Sequence, residues 1–162
     1  MSDEDSTVEL KDLITNWLLE EGFKVKEIDD PLAIFNFYAE DDQKRNVNVI
    51  QNWKKPTQIL IGTNAVFNED IQLKIQRMDE KEREDFFWEI RFGLLQMNVG
   101  FGKVGLPFKK IELRNILYLD NLSKDVYMQR MFNVRRALVY VFMQVERKLG
   151  PFKQNSKIPA LI

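Results

Sequence analysis

The spacing of apolar residues changes at Gly22, and this change constrains the fold more than any other feature of the chain. Before Gly22, apolar side chains recur at helical spacing behind a capping box formed by Ser6 and Glu9. After Gly22, apolar and polar residues alternate, which is the period of a half-buried strand. A helix followed by strands predicts a mixed α+β fold. The helical stripe consists of Leu10, Leu13, Ile14, Trp17 and Leu18.

Four alternating segments follow one another in the first half of the chain. They cover residues 23–26, 34–39, 46–49 and 59–65, and short polar turns separate them. Consecutive strands that are joined by short turns pair antiparallel. The sequence therefore predicts an antiparallel β-meander with one face packed on helices and the other face half exposed to water.

Two further helices are predicted between the meander and the last third of the chain. Residues 68–78 fit the period of a strand as well as that of a helix. Asn68 as an N-cap favours a short helix. Residues 79–97 predict a middle helix, because Asp79 and Glu82 form a capping box in front of a wide apolar face.

The last third of the chain predicts a strand over residues 111–119 and a long helix from near Ser123 to Gly150. Together the segments predict one α+β domain over residues 1–162, in which an antiparallel meander is packed by an N-terminal, a middle and a long C-terminal helix. Its ordered core is expected over about residues 7–150, between a short acidic N-terminal tail and a C-terminal tail, residues 151–162.

The chain contains no histidine and no cysteine. These residue types supply most general bases near neutral pH, the thiol nucleophiles and nearly all zinc ligands. We therefore expect a protein that is not an enzyme and that holds no cofactor and no metal ion. The formal net charge of −1 argues against a nucleic-acid partner, because a protein that binds nucleic acid needs a surplus of lysine and arginine to neutralise the phosphates.

Hydropathy gives no indication of a membrane segment. The longest uninterrupted apolar run, residues 137–143, is far shorter than the roughly 20 residues of a membrane-spanning helix. The first residues are acidic, whereas a signal peptide begins with a basic region that precedes an apolar one. We therefore expect a cytoplasmic protein.

Residues 100–105 match the letters of the G-x-G-x-x-G dinucleotide fingerprint. That motif needs a strand before it and a helix after it, so that the phosphates meet the helix N-terminus. Here a predicted helix comes first and Pro107 and a strand follow, which favours a plain connector. A phosphate-binding loop remains the alternative, and it would use Gly100, Gly102, Lys103 and Gly105.

Two pairs of adjacent carboxylates stand out, Asp29 with Asp30 and Asp41 with Asp42. Such pairs can bind a hard cation or exchange protons. Both lie in predicted turns, where aspartate stabilises the backbone geometry. The turn interpretation is therefore favoured for both pairs.

The last helix carries more apolar surface than packing on one side of one sheet requires. Either the fold buries this helix on two sides, or a partner covers it. A homodimer is the simplest partner, because one patch serves both subunits. It would form through the last helix or through a sheet edge. Aromatic and flexible side chains are suited to anchor a partner, and the candidates are Tyr38, Trp53, Tyr140 and Met143.

The order of predicted elements resembles the type III secretion chaperone-like fold. Residues 80–86, 94–95, 98–101 and 125–136 also resemble an uncharacterised, largely archaeal prokaryotic family that is assigned this fold. The resemblance extends over about residues 7–150. It implies dimerisation and the binding of an extended client segment, and it implies no catalytic residues.

The leading hypothesis is a non-enzymatic protein-binding or chaperone-like module that acts as a homodimer. The alternative is a small-ligand or nucleotide sensor that uses the glycine-rich loop, residues 100–105. An enzyme built on aspartate, glutamate, lysine or tyrosine alone ranks third.

Overall fold

A computed structural model describes the backbone of residues 3–151 and the side chains of residues 9–151. The mixed α+β architecture that the sequence predicts is confirmed. The helices are α1 (Asp3–Glu20), α2 (Glu69–Gln76), α3 (Glu80–Leu95) and α4 (Lys124–Leu149), with a 3-10 turn at Leu119–Asn121. The strands are β1 (Lys24–Glu27), β2 (Ala33–Glu40), β3 (Asn46–Asn52), β4 (Gln58–Val66), β5 (Gly100–Phe101) and β6 (Lys110–Tyr118).

The strands form one antiparallel sheet in the order β1-β2-β3-β4-β6-β5. Its first four strands are the predicted meander, and β6 is the predicted long strand. Strand β5 was not predicted, because two residues inside a glycine-rich loop have no readable period. It pairs with β6 through Gly100 opposite Arg114 and Phe101 opposite Leu113.

Side chains in β6 alternate strictly between buried and exposed positions, and those of β2 and β3 alternate between buried and less buried ones. In the pairing of β2 with β3, Phe37 lies opposite Val49 on the buried face, and Tyr38 lies opposite Asn48 on the outer face. One face of this part of the sheet is therefore core and the other is open, as the alternation predicts.

Residues 68–78 form a helix, as the capping signal at Asn68 favours. The Asn68 side chain accepts a hydrogen bond from the Ile71 N–H at 3.0 Å. Asp79 caps α3, and the Ser123 hydroxyl accepts from the Val126 N–H at 3.2 Å at the start of α4. Gly150, with φ of 83°, follows the end of α4 in the left-handed conformation that favours glycine.

The predicted start of α1 is wrong. The helix begins at Asp3, so the Ser6 capping box lies inside it rather than at its end. Acidic residues stabilise the N-terminal turn of a helix through its dipole, and residues 3–5 are all acidic. The expected N-terminal tail is therefore largely helical. The C-terminal tail predicted over residues 151–162 lies, after Pro151, outside the described residues.

The chain divides into two compact units, and their boundaries fall within β4, β6 and α4. Unit 1 comprises residues 1–61 and 116–131, and unit 2 comprises residues 62–115 and 132–162. In unit 1, the ring of the half-buried Trp17 lies 6.0 Å from the ring of Tyr127, which is completely buried. The core of unit 2 is aromatic, and it contains Phe67, Phe86, Phe87, Phe108 and Phe142. The expectation that the chain forms a single domain stays a prediction.

A buried ion pair organises the turn between β2 and β3. The Arg45 Nε donates to the Asp41 carboxylate at 2.6 Å, and both side chains are more than nine-tenths buried. The same carboxylate accepts from the N–H groups of Gln43 and Arg45, at 2.9 and 3.0 Å. Asp41 therefore has the turn role that its sequence position favours. Asp42 beside it is exposed.

Replacing Asp41 with asparagine should lower the free energy of unfolding by about 3 kcal/mol, because it leaves a buried guanidinium without the carboxylate that neutralises it. Urea denaturation measures this change. The neighbouring exposed substitution Asp42→Asn is the matched control, with an expected change within about 0.5 kcal/mol. Equal effects of the two substitutions would show that the ion pair does not stabilise the fold.

No helix in the described part of the chain is long and apolar enough to cross a membrane.

Candidate functional site

The most exposed large apolar side chains of unit 1 lie at one end of the sheet. Leu32 precedes β2 and is 73% exposed, Trp53 follows β3 and is 59% exposed, and Tyr118 ends β6 and is 57% exposed. The Trp53 N–H donates to the Leu32 carbonyl at 3.3 Å, which joins two of the three segments. We call these three residues the tryptophan end.

The third segment reaches the same end of the sheet through the start of β4. The Leu119 N–H donates to the Thr57 carbonyl at 3.0 Å, directly before β4 begins. Neighbouring strands lie about 4.8 Å apart, so the three strand spacings from β2 to β6 span roughly 14 Å. The tryptophan end is therefore a short row of apolar side chains across four adjacent strands.

The outer face of the sheet continues from the tryptophan end along the strands. Ile116 is exposed on β6, and Ile34, Ile50 and Leu60 are half-buried on β2, β3 and β4. In each strand these residues occupy the alternate positions between the buried ones, so they lie on the face that the helices do not cover. The tryptophan end is thus continuous with a wider apolar surface of unit 1.

Tyr38 lies on the same outer face but is separated from the tryptophan end by polar side chains. The Asn36 amide donates to Asp30 at 3.0 Å, and the Asn48 amide donates to Asn36 at 2.6 Å. Asp30 also accepts from the Leu32 N–H at 2.9 Å, so it has the turn role favoured for it. Of the two predicted anchors on the sheet, Trp53 therefore has the more apolar surroundings.

The two edge strands of the sheet, β1 and β5, are short. Strand β1 has four residues, two of which are Lys24 and Lys26, and β5 has two residues. Short edges and edge lysines disfavour the addition of a further strand. The β1 edge is therefore poorly suited to pair with another chain. Strand β5 pairs with only two residues of the nine-residue β6, so the sheet edge that the sequence suggests as a dimer surface stays a prediction.

A second apolar surface, which sequence reasoning missed, lies on α3. Trp88, Phe92 and Leu95 follow one another at i, i+4 and i+7 and are 50%, 58% and 64% exposed. The rings of Trp88 and Phe92 stack with centroids 5.5 Å apart, and the Arg91 guanidinium lies 4.6 Å from the Trp88 ring centroid. We call these three residues the α3 stripe.

The α3 stripe faces away from the core. The buried residues of α3 lie on the opposite side of the helix, because a helix turns by about 100° per residue. The sequence of α3 has large apolar residues on two sides, which is the signal for this stripe. The apolar side that is buried was sufficient to predict the helix, so the second side was not noticed. The buried residues are Phe86, Phe87, Ile90 and Leu94.

The apolar surplus of α4 is mostly buried within the protein. Of the two anchors predicted there, Met143 is 43% exposed, whereas Tyr140 contacts α3. The Tyr140 hydroxyl donates to the Glu89 carbonyl at 2.7 Å, and its ring lies where a Gly93 side chain would be. Partial burial, and then the negative charge of Glu89, raise the pKa of Tyr140. Tyr140 thus has a contact within the protein that accounts for its position.

The pair formed by Gly93 and Tyr140 predicts a conditional effect of one substitution. In a Tyr140→Ala background, Gly93→Ala should raise the free energy of unfolding by about 1 kcal/mol, because alanine favours the helix more than glycine does. In the wild-type background that gain should vanish, because the new methyl group overlaps with the Tyr140 ring.

Urea denaturation of the four proteins in this double-mutant cycle measures the difference. An equal gain in both backgrounds would contradict the packing of Tyr140 against Gly93.

Part of the glycine-rich loop forms backbone hydrogen bonds with β6. Gly100 belongs to β5, and the Gly102 N–H donates to the Glu112 carbonyl at 2.9 Å. The Lys103 ammonium donates to the Leu106 carbonyl at 2.6 Å. An open cleft of about 460 Å³ lies between the loop and α3, and Gly102, Lys103 and Gly105 help to line it. The phosphate-loop hypothesis stays a prediction.

Among residues 9–151, no three acidic side chains come together in a group that could hold a metal ion.

The chain was compared with known proteins. A family model described as an uncharacterised conserved protein, DUF2299, matches residues 10–145. The chain is similar to the crystal structure of an uncharacterised protein from Methanothermobacter thermautotrophicus, with 27% sequence identity and a TM-score of 0.81 over 86% of this chain and 99% of that chain. No curated protein matched the chain.

Proposed function

We propose a function for this chain, which belongs to the DUF2299 family of uncharacterised conserved proteins: it is a non-enzymatic module that binds an extended apolar segment of another protein and acts as a homodimer. The observation that carries the proposal is the tryptophan end. Leu32, Trp53 and Tyr118 together expose large apolar side chains at one end of the sheet, where nothing in the described fold needs them. Contiguous apolar exposure of this kind is typical of interaction sites.

The composition of the tryptophan end favours a protein partner. Tryptophan and tyrosine supply most of the binding energy at protein interfaces, since each offers a large rigid surface. Lys54 and Lys55 follow Trp53 directly and are exposed. They would attract acidic residues that flank the apolar part of the bound segment. We therefore expect a client segment with apolar or aromatic residues next to aspartate or glutamate.

The resemblance to type III secretion chaperones supports the same function. Those proteins are small acidic dimers that hold an extended client segment, and this chain has a similar size and a pI of about 5.7. We include the fold and the client-binding role of those chaperones in the proposal for this chain. The proposal also includes a cytoplasmic location, which suits a chain that has no cysteine for disulfide bonds.

The client-binding proposal predicts an effect of Trp53→Ala. A peptide library selected on the wild-type protein should yield apolar sequences with flanking acidic residues. Trp53→Ala should weaken the best peptide about 30-fold, the effect of losing an interface anchor worth about 2 kcal/mol. Fluorescence anisotropy of the labelled peptide measures the Kd.

Leu73→Ala is the matched control, since it removes an exposed large apolar side chain that belongs to a different unit and to neither the tryptophan end nor the α3 stripe, and it should leave the Kd unchanged. A selection without a consensus, or equal losses in the two variants, would contradict binding at the tryptophan end.

The α3 stripe supports the homodimer. Its spacing of four and then three residues is the seam spacing of two helices that pack together, with Trp88, Phe92 and Leu95 at the core positions. A second copy offers the same stripe, so one surface covers the other without further design. The seam is less than three helical turns long, and we therefore expect a dimer that dissociates at micromolar concentration.

Dimerisation predicts that Phe92→Ser yields a monomer. The central position of Phe92 in the α3 stripe means that its loss opens the seam on both sides. Sedimentation velocity over a range of micromolar concentrations should show a dimer for the wild type and a monomer for the variant. Trp53→Ala, the variant expected to weaken peptide binding, serves here as the control and should remain dimeric. A wild type that sediments as a monomer throughout would overturn this part of the proposal.

A further inference from the structure

A cationic cleft lies within unit 2 and shares no residue with the tryptophan end. It lies between α3 and residues 101–106, is open to solvent, and has a volume of about 460 Å³, within the range of small-molecule sites. Arg83 and Arg91 line it from α3, Lys103 lines it from the loop, and Glu84 is the one carboxylate that lines it. Three positive charges therefore face one negative charge.

The three cations are held in place by backbone carbonyls. Arg91 Nη2 donates to the Val104 carbonyl at 2.6 Å, which ties α3 to the loop. Lys103 donates to the Leu106 carbonyl at 2.6 Å. Each contact fixes the head group with one atom and neutralises none of its charge, so N–H groups remain to bind an anion.

Arg83 lines the cleft about two helical turns from Arg91 on α3 and is fixed in the same way. Its Nη1 donates to the carbonyls of Gln76 and Met78 at 3.0 and 3.2 Å. Its Nε and Nη2 make no hydrogen bond to the described residues and keep their donors for a ligand. A guanidinium group with remaining donors suits a phosphoryl group, whose several oxygens accept forked hydrogen bonds.

The wall of the cleft is partly apolar. Phe87 and Val104 are buried in it, and Phe101 is half-buried at its side. Apolar walls next to convergent charged groups are typical of sites for organic ligands, because the walls desolvate the carbon part. The cleft therefore combines a place for a phosphoryl group with a place for a small organic group.

We propose that this cleft binds a small organic phosphate, with Arg91 and Lys103 as the phosphoryl ligands and Arg83 as a further cation that attracts the anion. Glu84 opposes the anion and lowers the affinity. The site uses side chains, in contrast to a dinucleotide fingerprint, whose backbone N–H groups hold the phosphates, because the Gly102 N–H is already bonded to Glu112. The cleft and the tryptophan end share no residue, so each proposal can fail without the other.

Arg91 provides a reporter for occupancy of the cleft. Its guanidinium lies over the Trp88 ring, so an anion that binds Arg91 changes the electrostatic surroundings of that ring. Trp17 and Trp53 lie in the other unit. Protein labelled with 5-fluorotryptophan therefore gives one fluorine resonance that responds to the cleft and two internal references.

The test titrates labelled protein with AMP as the organic phosphate probe, and separately with inorganic phosphate and with adenosine. AMP should shift the Trp88 resonance at millimolar or lower concentration, inorganic phosphate should shift it with weaker affinity, and adenosine should leave it unchanged. Equal responses to AMP and adenosine would overturn the phosphoryl site, and the absence of any shift with AMP and phosphate would overturn the cleft as a ligand site.

Two exposed positions separate a site from general charge attraction. Lys103→Gln should weaken AMP binding about tenfold, the effect of losing one charge-assisted hydrogen bond, whereas Lys103→Arg should restore most of it. Glu84→Gln should tighten binding several-fold. Lys109→Gln is the control, since Lys109 is an exposed cation close to the loop that does not line the cleft. Equal losses for Lys103→Gln and Lys109→Gln would show that AMP responds only to the net charge.

Discussion

The alternation of side chains along the strands is the constraint on which the rest of the structure depends. Successive side chains of a strand point to opposite faces of the sheet. A shift of one residue in the strand register would therefore move the whole apolar set from the core to water. In β2, Phe35 and Phe37 take the buried positions, which fixes Tyr38 on the outer face. In β6, Leu113 and Leu117 do the same for Tyr118. The outer aromatic side chains are therefore consequences of a register that the core determines.

A similar constraint explains α3, which packs on two sides and leaves a third side uncovered. The buried side carries Phe86 and Phe87, and the side towards α4 carries Glu89 and Gly93, which accept the Tyr140 side chain. The α3 stripe occupies the remaining side. Exposed apolar groups of this size are typical of interaction surfaces, so the outer stripe supports the proposed partner. The tryptophan end and the α3 stripe thus meet the same physical criterion in different units.

Sequence periodicity was sufficient for the elements that have several periods. The meander, β6 and the ends of α4 follow from it, because burial of alternate or helical positions dominates their energetics. It failed for β5, which is too short for any period, and for the start of α1, where the dipole effect of three acidic residues extended the helix beyond Ser6. Trp53 was identified because it stands at a strand end. Trp88 was not, because an apolar residue in a helix is assigned to the core until the packing of that helix is known.

The central claim is that Trp53 and Tyr118 of the tryptophan end are free for a partner while the fold stays intact. Hydroxyl-radical footprinting of the dilute protein tests this claim directly, since it measures the oxidation rate of each aromatic side chain in solution. The account predicts fast oxidation of Trp53 and Tyr118 and slow oxidation of Tyr127, which the core buries completely. Oxidation of Trp53 and Tyr118 as slow as that of Tyr127 would contradict it.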